Sequence, residues 1–466
     1  MKKIFVYTCL LLLTALCACK KDSFITSKDA QISLSADSLH FDTVFTTTGS
    51  VTQQFKIKNS NNQKLKINSV YLGGGTSSSF KINVDGVPGP TVGEIDLDAN
   101  DSIFVFVTVT INPNAANQPF VLRDSIGVDY NGNKTFVQLE AWGQNAHFLR
   151  NTKISGNIVW TNDLPYVILG GLQVDTTASL TIQKGCKIYL HADAPLLVDG
   201  SLQVTGEKFD STRVYFASDR LDYPYNEYPA GWPGIYFRPT SKNNSLQYAV
   251  VRNAYQGLIA QGPSINANSK LVINQCIVDN IYDAGIYGIE TSINATNCLI
   301  SNCGKNVQLV LGGNYQFVHC TMPTIGNNYI THKDPALYIS NYVQSGSSVY
   351  TDNLFATFTN CIIWADNSTA DNEVVTSRQG SGTFNVNFQN CLWKVKTNPS
   401  DVVASNIISN QAPAFDSINV SKSFYSFRLK DVSPAINKGI TTSVNIDLDG
   451  KPRPVGLPDL GAYEKQ

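Results

Sequence analysis

Charge is scarce in this 466-residue sequence, where Lys, Arg, Asp and Glu together make up 15%, against roughly 25% in a typical soluble chain. The net charge is only −1. That excludes nucleic acid or an anionic lipid surface as the main partner, because both demand a basic face. No long stretch carries the i, i+3, i+4, i+7 apolar spacing of an amphipathic helix, so a mainly helical fold is excluded as well. A Gly-rich phosphate loop, a Cys-x-x-Cys pair and a Gly-x-Ser-x-Gly elbow are all missing, and with them the chemistries they mark. What is plentiful is Asn, Thr, Ser, Gly and aromatic residues, including 21 Tyr and 22 Phe. Low charge with many β-branched and aromatic side chains points to an all-β chain.

The one long apolar run lies at the start. Met1-Lys2-Lys3 precedes Ile4 to Ala18, followed by Cys19-Lys20-Lys21-Asp22. A positive n-region and a short apolar run make a secretory signal, too short for the ~20 residues of a spanning helix. Leu16-Cys17-Ala18-Cys19 resembles the bacterial lipobox, which implies acylation of Cys19 and a membrane anchor. Lys20-Lys21-Asp22 is similar to the charged stretch after the lipidated Cys in surface lipoproteins of Bacteroidetes. The resemblance implies anchoring in the cell envelope at the outer membrane, surface-exposed or periplasmic.

Seven cysteines follow Cys19: Cys186, Cys276, Cys298, Cys303, Cys320, Cys361 and Cys391. An odd count in an oxidising compartment leaves at least one thiol unpaired. Five of them mark a repeat: Leu271-x-Ile273-x-x-Cys276-x-Val278, Ile293-x-Ala295-x-x-Cys298-x-Ile300, Tyr315-x-Phe317-x-x-Cys320-x-Met322, Ala356-x-Phe358-x-x-Cys361-x-Ile363 and Val386-x-Phe388-x-x-Cys391-x-Trp393. Leu246-x-x-Ala249-x-Val251 is a sixth, with Ala for Cys. Each is two period-two runs joined by a slip of one residue, which would flip every later side chain unless the chain turns there. Before the Cys stand Gln275, Asn297, His319, Asn360 and Asn390. Asn tolerates the left-handed backbone of a tight bend, and its amide can bond the rung above or below. Cys276, Cys298 and Cys320 lie 22 residues apart, one coil of a right-handed parallel β-helix. Stacked cysteines ~4.8 Å apart with parallel Cβ vectors suit core packing rather than bridging. Cys303 falls outside the register and is expected to be the reactive or paired exception, with Cys186 undecided.

Leu180-Thr181-Ile182, Leu197-Val198-Asp199-Gly200-Ser201-Leu202 and Trp232-Pro233-Gly234-Ile235 resemble the first coils of right-handed β-helices of the pectate-lyase-like superfamily. The ending, Ser433-Pro434-Ala435-Ile436 with Asp447-Leu448-Asp449-Gly450 and Asp459-Leu460-Gly461-Ala462-Tyr463-Glu464, resembles the closing segment of Bacteroidetes surface β-helix proteins. These resemblances cover about two thirds of the chain and imply fold more than activity. Upstream, residues 31–146 show seven alternating runs: Leu34 to Phe41, Val51 to Lys58, Leu65 to Leu72, Phe80 to Val84, Ile103 to Ile111, Asp124 to Tyr130 and Thr135 to Leu139. They predict a β-sandwich, and Phe55-x-Ile57-x-Asn59 with Leu139-Glu140-Ala141-Trp142-Gly143 resembles an immunoglobulin-like module, read as a spacer or as a binding module in its own right. The expected organisation is a signal peptide (1–18), lipidated tether (19–30), immunoglobulin-like sandwich (31–146), right-handed parallel β-helix (147–430) and C-terminal cap (431–466).

Chemistry is harder to find. The carboxylate and Arg motifs of the polygalacturonases and pectate lyases are missing. His332, Lys333, Asp334, Asp366, Asp371, Glu373 and Arg378 fall in long insertions, where function tends to sit, and Asp279 and Asp283 follow a core strand. Each is also an ordinary turn or solvated residue, and His319 occupies an Asn slot, which favours a ladder role. Asp447-Leu448-Asp449-Gly450 has Pro458 at the twelfth position, where a calcium loop needs a carboxylate, so it reads as a turn; no cofactor is expected, with Ca²⁺ the weak alternative, and no metal site. The best binding candidate is the segment with Tyr223, Tyr225, Tyr228 and Trp232, whose prolines are expected to hold an extended loop and whose rings suit sugars. The sequence therefore leads to a non-catalytic glycan-binding or adhesin-like protein, with a polysaccharide ligand, membrane attachment through the lipid and no nucleic acid. The alternative is a polysaccharide lyase or glycoside hydrolase working in a groove of the helix, and a purely structural envelope role is a third.

Overall fold

The computed structural model describes residues 23–46, 49–112, 120–326, 329–366 and 368–466. The signal segment and Cys19 lie outside the described residues. The chain is all-β and divides into two units, Met1–Asn145 and Ala146–Gln466. Among the described residues no helix is long and apolar enough to cross a membrane.

The first unit is a sandwich of two five-stranded sheets. One runs Ile32–Leu34, Gln53–Asn59, Ser102–Val109, Phe80–Val84, Val87–Pro88; the other runs Ser38–Phe45, Asn133–Gln144, Phe120–Tyr130, Leu65–Leu72, Thr91–Leu97. Alternation places Phe55, Ile57, Val105 and Val107 of one sheet and Leu65, Ile67, Val128 and Leu139 of the other in one core. Thr91–Leu97 escaped the sequence reading because only Val92 and Leu97 of its seven residues are buried, too few to print a period of two.

The second unit is a parallel β-helix, with 26 strands joined in one continuous parallel ladder. Each full coil contributes to three faces, called here the first, second and third sheets. One coil shows the order: Leu258–Gln261 (first), Leu271–Asn274 (second), Ile277–Asp279 (third), each pairing in parallel with its counterpart on the next coil. Inward residues form one core from Ile154 to Val395. Within it Phe317, Phe358 and Phe388 stack at 5.1 and 4.8 Å, which is the strand spacing of the ladder itself. The coils begin with His147–Ile154, Asn157–Trp160 and Tyr166–Val174, earlier than the first run legible in the sequence, and the last coil strand is Ile408–Ser409.

The slip before each cysteine is the turn from second to third sheet. Gln275, Asn297, His319, Asn360 and Asn390 all have φ of 50–55°, as does Tyr248 (48°) in the Ala249 rung. Every one of the seven cysteines is a buried free thiol, and those of the repeat bond carbonyls at this corner: Cys298 donates to Thr296 O at 3.3 Å and to Ile273 O at 3.5 Å, Cys391 to Gln389 O and Phe358 O. Cysteine thus combines the size a tight corner permits with a weak donor for carbonyls there. Cys303 is no exception: it is buried, donates to Ser301 O at 3.1 Å, and burial pushes its thiol pKa up, so it is neither exposed nor paired.

After Phe415–Asn419 and Phe424–Leu429, an antiparallel hairpin, the chain does not cap the end of the stack. It runs back along the second–third corner. Asn390 donates to Lys438 O (2.7 Å), Asn360 to Ile440 O (2.8 Å), His319 meets Thr442 (3.3 Å), Asn297 donates to Ile446 O (2.6 Å), and Arg213 reaches Leu448 O (2.9 Å). This strap passes coil after coil because the third sheet's outer face is apolar. Leu299, Ile362, Trp364 and Leu392 pack there against Leu448, Leu460, Ala462 and Tyr463 in a second core. The expected Asn ladder is therefore mostly spent on the strap; amide contact between rungs survives at Asn360–His319 and Asn406–Asn390. Arg453 fastens the strap from within, pairing with Glu464 at 2.9 Å with both side chains fully buried, and donating to Asn297 Oδ1 and Gly461 O.

Candidate functional site

The turn from third to first sheet is the opposite case, left open to insertions. Residues 219–234, 325–326 with 329–336, and 366 with 368–373 leave the stack there, between the third-sheet strands ending at Ser218, Thr324 and Ala365 and the first-sheet strands starting at Ile235, Leu337 and Val374. The topology thus gathers at one corner the tyrosine segment and His332, Asp334, Asp366, Asp371 and Glu373. Arg378 belongs to the next corner, exposed and donating to Gly382 O.

A second column of asparagines, which the sequence reading missed, builds this corner. Asn253, Asn280 and Asn302 have φ of 62°, 55° and 52°. Their amides hold the insertions as the first column holds the strap: Asn253 donates to Asn226 O (2.6 Å), Asn280 to Glu227 O (2.8 Å), and Asn302 Oδ1 accepts from the Ile325 N–H (3.3 Å). The signal was there in Asn253, Asn280 and Asn302, spaced 27 and 22 residues apart, but no cysteine accompanied it.

The tyrosine segment does not run extended. Tyr225–Glu227 forms a 3-10 turn, and the loop arches along the corner until Tyr228 meets Tyr329 of the later insertion at 4.9 Å. Tyr225 lies against Tyr228 at 5.2 Å, with the Arg220 guanidinium over its ring at 3.9 Å. Asp222 holds Arg220 bidentately at 2.8 and 2.9 Å, and that hydrogen bonding raises the arginine's pKa. Tyr223, Tyr225 and Tyr228 are exposed. Trp232 must be withdrawn as a ligand contact: it is 1% exposed, with its indole N–H on Arg252 O at 2.9 Å, because it begins a rung and faces inward.

Beside the loop is a cleft of about 360 Å³ lined by Lys187, Tyr189, Asp210, Tyr215, Arg220 and Arg252, among others. Tyr189 and Tyr215 form outward positions of the third sheet, and desolvation raises both phenol pKa values. Neither Lys187 nor Arg252 is in an ion pair among the described residues, so the cleft presents free positive charge over aromatic surface.

The acid–base candidates do not converge on one open site, apart from Asp283, Lys333 and Asp334, which line one cavity. His332 Nε2 and Glu373 Oε2 are brought to 2.7 Å, but the side chains are 0% and 1% exposed, and Glu373 also accepts the Ala336 N–H. That pair is sealed from any substrate and pins the insertion. Asp366 accepts from Trp364 Nε1, and Asp371 sits on the surface with Lys396 at 3.4 Å. Asp334 does reach a cavity, with Lys305 at 3.7 Å. Asp279 is turned to Ser301 at 2.7 Å. Among the described residues no group of three or more His, Cys, Asp or Glu is placed to hold a metal. Asp447 accepts the N–H groups of Asp449, Lys451 and Glu464 at 2.8–3.0 Å, and is a turn residue of the strap.

No protein-family model matches the chain, and no curated protein does. Solved structures give short, remote likenesses. A family 123 glycoside hydrolase from Clostridium perfringens matches at 11% identity over 24% of this chain and 26% of that one, with a TM-score of 0.19. A human PapD-like domain matches at 13% over 27% and 92%, with a TM-score of 0.18. A protein of unknown function from Porphyromonas gingivalis matches at 10% over 27% and 60%, also at 0.18. The chain spans about a quarter of the length of that glycoside hydrolase, and likenesses this slight carry no functional argument.

Proposed function

We propose that this chain is a lipid-anchored envelope protein that binds glycan on its β-helix without cleaving it. The lipobox-like Leu16-Cys17-Ala18-Cys19 supports the anchor and an outer-membrane location. The coil signatures support membership of the pectate-lyase-like superfamily, and an immunoglobulin-like sandwich would then be the spacer. The observation that carries the binding reading is the arch of Tyr223, Tyr225, Tyr228 and Tyr329 beside a cleft with unpaired Lys187 and Arg252. Flat aromatic faces take up sugar rings at low entropic cost, and free cations beside them favour carboxylate or sulfate substituents.

The test is retention of the detergent-solubilised full chain on immobilised neutral and acidic polysaccharides. Retention that Tyr225→Ala or Arg252→Ala weakens, with no new reducing ends or unsaturated products, supports binding; no retention on any glycan sinks it. Replacing Cys19 by Ala is expected to move the protein out of the membrane fraction. One observation favours the enzymatic alternative: Asp283 and Asp334 flank Lys305 in one cavity, at 3.5 and 3.7 Å. Paired carboxylates are what glycoside hydrolysis requires. Release of reducing ends that Asp334→Asn abolishes would establish that reading instead.

A further inference from the structure

Tyr255 and Tyr282 stand on successive coils at the open corner, stacked at 5.5 Å with 23° between their planes, and are 47% and 50% exposed. The ladder carries their column one coil further. The Tyr282 N–H bonds Ala254 O at 3.0 Å, and the Gly304 N–H bonds Ile281 O at 3.0 Å. Gly304 therefore holds the place of a third tyrosine. It has to be glycine, because a Cβ there would lie 2.4 Å from the Tyr282 carbonyl oxygen. The result is a stacked aromatic column with its next ring position vacant.

That vacancy belongs to a cavity of about 380 Å³ lined by Tyr255, Tyr282, Gly304, Lys305, Tyr329 and Asp334, with Asp283 beside them. The volume falls in the range of small-ligand sites, ~300–1,000 Å³. Coils repeat every ~4.8 Å, so a flat ring seated above Gly304 meets Tyr282 at about van der Waals contact. The charges of the rim match in number, Lys305 and Lys333 against Asp283 and Asp334: Lys305 serves both carboxylates, and Gln256 donates to Asp283 at 2.8 Å. Matched charges of this kind leave donors and acceptors for hydroxyl groups but no surplus charge for an ionic ligand.

We infer that the gap above Tyr282 is a subsite for one neutral pyranose ring, stacked on the tyrosine and bonded through its hydroxyls to Asp283, Lys305 and Asp334. It rests on the glycan-binding reading and extends it with a second place of opposite preference to the cationic cleft.

Calorimetric titration of the full chain with neutral xylo-, manno- and gluco-configured hexasaccharides tests it. At least one is expected to bind, with Tyr282→Ala weakening it about five- to ten-fold, the worth of one aromatic stack, and Tyr282→Phe preserving it. Retention on acidic polysaccharide through the Arg252 cleft should not change in either variant. Three results overturn the subsite while leaving the proposed function standing: neutral sugars that bind Tyr282→Ala as tightly as the parent, Tyr282→Phe failing as badly as Ala, or a parent chain that binds acidic glycans only. A parent that binds no glycan overturns both.

Discussion

The two columns of left-handed asparagines begin alike and end differently. At the second–third corner the amides of Asn297, Asn360 and Asn390 are bonded to the chain's own C-terminal strap. At the third–first corner those of Asn253 and Asn280 hold a loop whose tyrosines stay exposed. The same backbone requirement, a bend that only a left-handed residue makes cheaply, has been put to two uses. Where the protein supplies a second layer, side chains are committed to stability; where it supplies only an arch, they stay exposed, where the proposed ligand would meet them. An asparagine column by itself does not distinguish the two.

The strongest way to break this comparison is to remove the strap's buried charge. Arg453→Ala strands Glu464, which is fully buried, and should cost about 3–5 kcal/mol, read by urea denaturation; Tyr225→Ala at the open corner should stay within about 0.5 kcal/mol. Equal costs would erase the distinction.

Acid provides a sharper probe. Burial, with Arg453 nearby, depresses the His319 pKa to about 3. The unfolded chain takes up a proton near 6.5 that the folded one refuses, so stability is full above pH 6.5 and falls as the pH drops towards 3. The slope reaches up to about 1.4 kcal/mol per pH unit. His319→Asn, the residue of neighbouring rungs, should remove that component from denaturation curves taken at pH 4–7.

Single asparagines come next. Asn297→Ala and Asn280→Ala both put Ala at positive φ and lose an amide bond, and each should cost about 2 kcal/mol. Only Asn280→Ala, which frees the Glu227 carbonyl, should also reduce glycan retention. A smaller cost than these is expected from Cys303→Ala: a buried thiol with one carbonyl partner should cost about 1–2 kcal/mol, and the parent should resist thiol labelling unless unfolded.

Much of the helix was legible because its core obeys a local rule. A period of two interrupted by one slip, with Cys after the slip, can be seen within each of five coils, and Asn360 or Asn390 announces its own backbone angle. The arch was half legible. Tyr223, Tyr225 and Tyr228 stand out by composition, but Trp232 beside them belongs to the core, since alternation across a rung start depends on where the rung starts. The Tyr255, Tyr282 and Gly304 column was invisible, because its members meet only through coils 27 and 22 residues long.

The sequence by itself determined the all-β class, the coil, the corner residues and the inward cysteines, because these depend on neighbours within one rung. The tertiary structure alone decided which corner is covered. It turned residues 431–466 from a cap into a strap, made His332 and Glu373 a sealed pair, and set Tyr282 over an empty place. Those outcomes depend on the stacking of distant coils, whose separation in sequence varies with every insertion, so no local pattern can carry them.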